Sequence, residues 1–172
     1  MKKTLIAGIG NIFLGDDAFG CEVIRELSRL QLPENVRVED FGIRAYDLAL
    51  ALTAGYDMVI LVDTMLRKAA PGTVYLVEPD LQEIEKLAPT APDPHSLNPV
   101  SVLQLARSIG PFTGKLLLVG CEPLVLGGDD GEMDLSQPVR KAVPQAVTMI
   151  QSLLRESIDL TTTKTDAGLV SV

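Results

Sequence analysis

Residues 58–62 read Met-Val-Ile-Leu-Val, five apolar side chains in a row with no polar alternation. A strand of that kind has no face to offer water, so it calls for helices on both sides and a central place in a parallel sheet. Three further runs can join it. Thr4–Gly8 is a short apolar stretch bounded by glycine, Val36–Phe41 is broken by Gly42, and Lys115–Gly120 carries Leu-Leu-Leu-Val after its lysine. Helical patterns fall between and after them. Asp17–Leu30 places Phe19, Val23, Ile24, Leu27 and Leu30 on one stripe, with Glu22, Arg25, Glu26 and Arg29 opposite. Arg44–Ala54 buries Leu48, Ala51 and Leu52 and stops at Gly55. A further helix starts at Asn98 or Ser101 and runs to Ile109, and the last spans Ser136 to about Ser157 with Pro144 as a kink point. Strand and helix alternate, which gives an α/β fold: one domain over 1–157, a mostly parallel twisted sheet with helices on both faces.

Two segments stand outside that alternation. Thr73–Glu78, between Pro71-Gly72 and Pro79, follows the central strand after a short loop and is expected as its antiparallel neighbour or as an edge hairpin. Asp80–Pro94 is polar and proline-rich and is expected to be irregular, a loop long enough to be functional. Residues 158–172 show no periodicity and are expected to form a disordered tail. Gly127-Gly128-Asp129-Asp130-Gly131 reads as a solvated acidic turn.

A net charge of −8 over 172 residues argues against nucleic acid or an anionic membrane surface as a partner. No stretch reaches the roughly 18 apolar residues of a membrane span. Met1-Lys2-Lys3 and the apolar run after it faintly mimic a signal peptide, but the run meets Asp16-Asp17 without a small-x-small cleavage site. Cys21 and Cys121 have no C-x-x-C spacing and are read as free thiols of a cytoplasmic protein, buried as small hydrophobes.

The chemistry concentrates at the chain's beginning. Gly8, Gly10 and Gly15 form a loop after the first strand and hand over to Asp16 and Asp17 at the start of a helix. The spacing resembles a phosphate loop only superficially. Position 13 is Phe where a dinucleotide fingerprint needs Gly, no Gly-Lys-Ser/Thr follows, and two carboxylates repel the anion that a helix start attracts. A nucleotide-binding reading is therefore the weakest. One of the two acids suffices as a helix cap, and Asp16 fits that role better than that of a general base. Asp17 is then free for a cation. Asp63 arrives at the carboxyl end of the central strand, and right-handed crossovers bring that end to the same sheet edge as the glycine loop. His95, the single histidine, ends the irregular loop just before a helix. Asp17, Asp63 and His95 together make an O/N set suited to nickel, zinc or iron, with positions open for water or for a partner's groups. There is no H-E-x-x-H and no G-x-S-x-G, so neither a zincin nor a serine hydrolase is supported.

The ordered set Gly8-Ile9-Gly10-Asn11, Asp16-Asp17-Ala18-Phe19-Gly20, Leu61-Val62-Asp63 and His95-Ser96-Leu97 resembles the hydrogenase maturation endopeptidases over roughly 1–157. The resemblance implies an endopeptidase that trims the C-terminal extension of a nickel-iron hydrogenase large-subunit precursor once nickel has been inserted. It implies that Asp17, Asp63 and His95 meet the metal, which comes in or with the substrate and which other divalent ions can replace. A monomer suffices for such transient work on one large protein. The alternative is a non-proteolytic chaperone that senses metal in the same precursor. Two departures stand out: Asp17 is often Glu in relatives, and Asp40-Phe41-Gly42-Ile43-Arg44 stands where many carry Asp-Gly-Gly-Thr.

Overall fold

The computed structural model describes residues 2–86, 99–127 and 134–166. Five strands form one sheet: β1 (Thr4–Ile9), β2 (Val36–Gly42), β3 (Met58–Thr64), β4 (Val74–Val77) and β5 (Lys115–Cys121), in the order β2-β1-β3-β5-β4. β1, β2, β3 and β5 are parallel, and β4 is antiparallel. The helices are α1 (Phe19–Leu27), α2 (Ala45–Leu52), α3 (Leu81–Lys86), α4 (Pro99–Ile109) and α5 (Gln137–Asp166).

The uninterrupted apolar strands do what their composition requires. In β3, Ile60 and Val62 face one core with α1 and α5, while Val59 and Leu61 face a second core with α2 and α4. β1 divides the same way, Ile6 to the first and Leu5 and Ala7 to the second. Both faces of the sheet are dry, so a strand with polar alternation would bury polar groups at its centre.

The crossovers reverse direction at β1. The chain leaves it through α1 to reach β2 on one side, and returns through α2 to β3 on the other. The carboxyl ends of β1 and β3 therefore flank the topological switch point, where open α/β sheets form their ligand crevice.

Close packing seats α1 over that point. A Cβ on Gly20 would lie 2.2 Å from the Ile9 carbonyl oxygen and 2.3 Å from that of Val62. Across the same contact, a Cβ on Gly8 would lie 2.4 Å from Ile24 Cγ1. Only glycine lets the helix backbone come this near both strands.

Four expectations are corrected. β4 pairs with β5 and not with β3, because β1 and β5 already occupy both edges of β3. The segment after Pro79 is not wholly irregular: Leu81–Lys86 is helical, with the Asp80 carboxylate accepting from Gln82 N and Glu83 N at its start. Leu30 is exposed because α1 stops at Leu27, three residues short of it. The last helix, expected to end near Ser157, continues to Asp166, with no glycine or proline between Pro144 and Gly168 to stop it; 167–172 lie outside the described residues. The acidic residues Asp129 and Asp130 lie outside the described residues.

The Gly20 contact yields a direct test. Gly20→Ala should destabilise the protein by about 3 kcal/mol or more, since backbone carbonyls on both strands would have to move. Urea denaturation of the purified variant measures the loss; Gly55→Ala, where a Cβ meets nothing within 4 Å but the backbone has φ 77, should cost only about 1 kcal/mol.

Candidate active site

The glycine loop after β1 enters a short 3-10 turn, Asp16–Ala18, before α1 begins. Gly10 takes φ 134, and a Cβ there would fall 1.8 Å from the Asp17 carbonyl oxygen. The loop is thus folded back on its own acidic turn. Asp17 Oδ2 accepts from Asn11 N at 2.7 Å, which fixes the half-buried carboxylate over the loop's mouth.

Asp63 comes from the next strand. It is 6% exposed, and its Oδ1 accepts from Thr64 N at 2.7 Å. Thr64 Oγ1 in turn donates toward Asp17 Oδ1 at 3.5 Å. The two aspartates expected to face one another therefore meet around Thr64, at the carboxyl ends of β1 and β3. Burial pushes the Asp63 carboxyl up to about 8; the Thr64 amide opposes that shift, and the negative charge of Asp17 adds to it. Asp63 therefore keeps its proton to higher pH than an exposed carboxyl does.

His95 lies outside the described residues. Among the described residues no group of three or more His, Cys, Asp or Glu side chains could hold a metal ion. The two carboxylates alone offer hard oxygen donors in a poorly hydrated pocket, a donor pair that suits a divalent cation if a third ligand joins.

Asp16 takes a different role from either one expected of it. No side chain caps the 3-10 turn or α1. Fully buried, Asp16 receives four hydrogen bonds from far along the chain: Leu124 N at 2.8 Å, Val125 N at 2.9 Å, Ser136 N at 2.7 Å and Ser136 Oγ at 2.9 Å. Its own amide donates to the Val125 carbonyl, and Gly15 forms a β-bridge with Leu126. With its carboxylate filled by these donors, Asp16 is a structural tie and not a base.

Glu122 performs the matching task on the other flank, and sequence reading missed it. The buried carboxylate accepts from Arg67 N at 2.8 Å, Lys68 N at 3.1 Å and Tyr75 Oη at 2.6 Å. The Tyr75 hydroxyl, with these loop amides, holds the acid below its ordinary range despite burial. The loop it secures follows directly from Thr64 and contains Lys68 at φ 63, a left-handed backbone unusual for a residue with a Cβ. A buried acid at the end of an apolar strand was the available signal.

The cysteines are inert here. Both are buried and free; Cys21 donates to the Gly10 carbonyl at 3.5 Å. Burial raises the Cys21 thiol well above its ordinary value and takes Cys121 to about 12, so neither supplies a thiolate at neutral pH.

A cleft of about 360 Å³ opens between the glycine loop and the β2–α2 turn, with Asn11, Ile12, Phe13 and Ile43 in its walls. A larger groove of about 620 Å³ runs between α1 and α5, and neither site aspartate lines either space.

Comparison with known proteins places this geometry in a family. Residues 21–153 match the model of the HycI family, described as hydrogenase maturation protease. The chain is 32% identical to the hydrogenase 2 maturation protease of Escherichia coli over 90% of its own length and 92% of the relative's. The hydrogenase maturating endopeptidase HybD from E. coli superposes with a TM-score of 0.74 at 31% identity, covering 90% of this chain and 93% of that one. A [NiFe] hydrogenase maturation protease HycI from Thermococcus kodakarensis shares the fold, with a TM-score of 0.68 at 23% identity over 90% and 93% of the two chains.

Two predictions follow from the buried acids. Asp63 has a folded value of about 8 against about 4 when unfolded, so the folded state binds the extra proton and loses stability as pH rises between those limits. Metal-free Asp63→Asn should therefore be more stable than the unsubstituted protein at pH 8, by ~2 kcal/mol or more, with the gap closing toward pH 5. Urea denaturation across that range reads the effect, and a constant gap would contradict it. Asp16→Ala strands three part-buried amides and should cost about 3 kcal/mol, read as a lowered Tm.

Proposed function

The chain belongs to the hydrogenase maturation protease family, and from that premise we propose that it removes the C-terminal extension of a nickel-loaded large-subunit precursor. Maturation proteases act on hydrogenase large-subunit precursors, so the substrate's class comes with the family. The nickel requirement and the position of the cut are the finer reading. The observation that supports it is the convergence of Asp17 and Asp63 on Thr64 at the switch point, with Asp63 kept protonated by burial.

In this reading nickel is part of the substrate. It arrives already bound by the precursor and finds an incomplete set of donors. Asp17 is oriented by the Asn11 amide and Asp63 by the Thr64 amide, so neither needs to reorganise. Asp63 gives up its proton as the cation approaches, which makes engagement easier as pH rises toward 8. A precursor without nickel brings no cation for Asp17 and Asp63 to hold. His95 completes the donor set. Held by these donors, the substrate's nickel would either activate the attacking water or only position the scissile bond. The protein acts in the cytoplasm as a monomer; among the described residues no helix is long and apolar enough to cross a membrane.

The test is to incubate the purified protein with its candidate precursor, nickel-loaded and nickel-free, and to weigh the products by mass spectrometry. A C-terminal loss with nickel alone is the expected result. His95→Ala should abolish that loss, by at least a hundredfold in rate, while its Tm stays within about 2 °C of the unsubstituted protein. Cleavage of both precursor forms would overturn the nickel requirement. Stable binding without any cleavage would favour the metal-sensing chaperone instead.

A further inference from the structure

Among the described residues eleven large apolar side chains are exposed, and six of them gather on the loops at one edge of the sheet. Ile12 and Phe13 follow β1, Ile43 follows β2, Leu66 follows β3, and Leu124 and Leu126 follow β5. In a parallel sheet all these loops emerge at the carboxyl edge, the edge that carries Asp17 and Asp63. Exposure is substantial: 57% for Phe13, 73% for Leu66 and 56% for Leu124.

The loops that display them are anchored from beneath. Asp16 holds the Leu124 and Val125 amides, Gly15 bridges to Leu126, and Gly127 N donates to the Leu14 carbonyl. Glu122 holds the Arg67 and Lys68 amides next to Leu66. Asn11 N, just before Ile12 and Phe13, is held by Asp17, and Ile12, Phe13 and Ile43 line one cleft. Apolar groups on loose loops would fold inward. Here buried carboxylates keep the backbones fixed, and the side chains stay out in water, ready to bind at little cost in ordering.

We propose that these six residues form one preorganised docking rim, which grips apolar surface on the folded hydrogenase large-subunit precursor on both sides of the segment delivered to the aspartates. It rests on the reading above for the identity of the occupant. Width favours a folded body over a lone peptide. From β2 through β1 and β3 to β5 the rim crosses three inter-strand steps, roughly 14 Å at about 4.8 Å each. One extended chain fills a single such lane and leaves the flanks uncovered. A second copy of this chain is a poor occupant, since a symmetric contact on this edge would bury Asp17 and Asp63 against their own counterparts.

Phe13→Ser and Leu124→Ser, singly and together, test the rim, with Ile109→Ser as an exposed apolar control elsewhere. Binding of each purified variant to immobilised precursor, nickel-loaded and nickel-free, gives Kd without requiring cleavage. The double variant should bind at least tenfold more weakly, with KM rising in parallel, kcat at saturating precursor within twofold, and Tm unchanged. Ile109→Ser should match the unsubstituted protein. An unchanged Kd in the double variant overturns the rim, as does sedimentation showing that the rim residues hold a dimer. An unsubstituted protein that binds through the rim but never cuts would overturn the processing reading and leave the rim standing. Normal cleavage with unaffected variants would do the reverse.

Discussion

The contact between Gly20 and the carbonyl oxygens of Ile9 and Val62 sets the geometry of everything above it. One of those carbonyls belongs to the last residue of β1, the other to the residue before Asp63. Three positions before Gly20, on the same tightly held segment, is Asp17. A single backbone approach therefore fixes where the two acids stand relative to each other, with no side chain between strand and helix to act as a spring. The Asn11 and Thr64 amides then orient the carboxylates. Positions are set by packing and directions by hydrogen bonds.

Much of this was legible in the sequence because the relevant signals are local. The unalternating β3 announced a sheet buried on both faces, and the order of apolar and amphipathic runs gave the fold class. That Asp17 and Asp63 come to one sheet edge was legible because each stands where its strand or loop ends. What could not be read was pairing across the chain. β4 turns to β5 because β3 has no free edge, which depends on the whole strand order. Asp16 looked like a cap because its sequence neighbours suggest one, whereas its partners Leu124, Val125 and Ser136 are brought in by the fold. Glu122 offered only the hint of an acid following an apolar strand.

The buried acids also show how burial alone does not decide what a carboxylate does. Asp16 receives four donors and serves as a structural tie. Glu122 is similarly supplied, by two loop amides and a tyrosine hydroxyl, and is held below its ordinary range. Asp63, held by the Thr64 amide and close to the charge of Asp17, is pushed the other way. Hydrogen-bond supply separates acids that hold loops together from one left in an unfavourable state, and an acid in such a state is available for chemistry.

The Asp16 tie has a further consequence for when the protein becomes competent. Its partners lie 108, 109 and 120 positions further along the chain. Contacts of such separation close late, because the entropy of ordering the intervening chain must be offset first by the sheet and helices within it. A nascent chain that has not yet emerged past Ser136 can build β1 and α1 but cannot lock the loop beside them. The loop is thus locked only once Ser136 has emerged and folded back, and a chain cut short before it presents no organised surface on which a precursor could be cut.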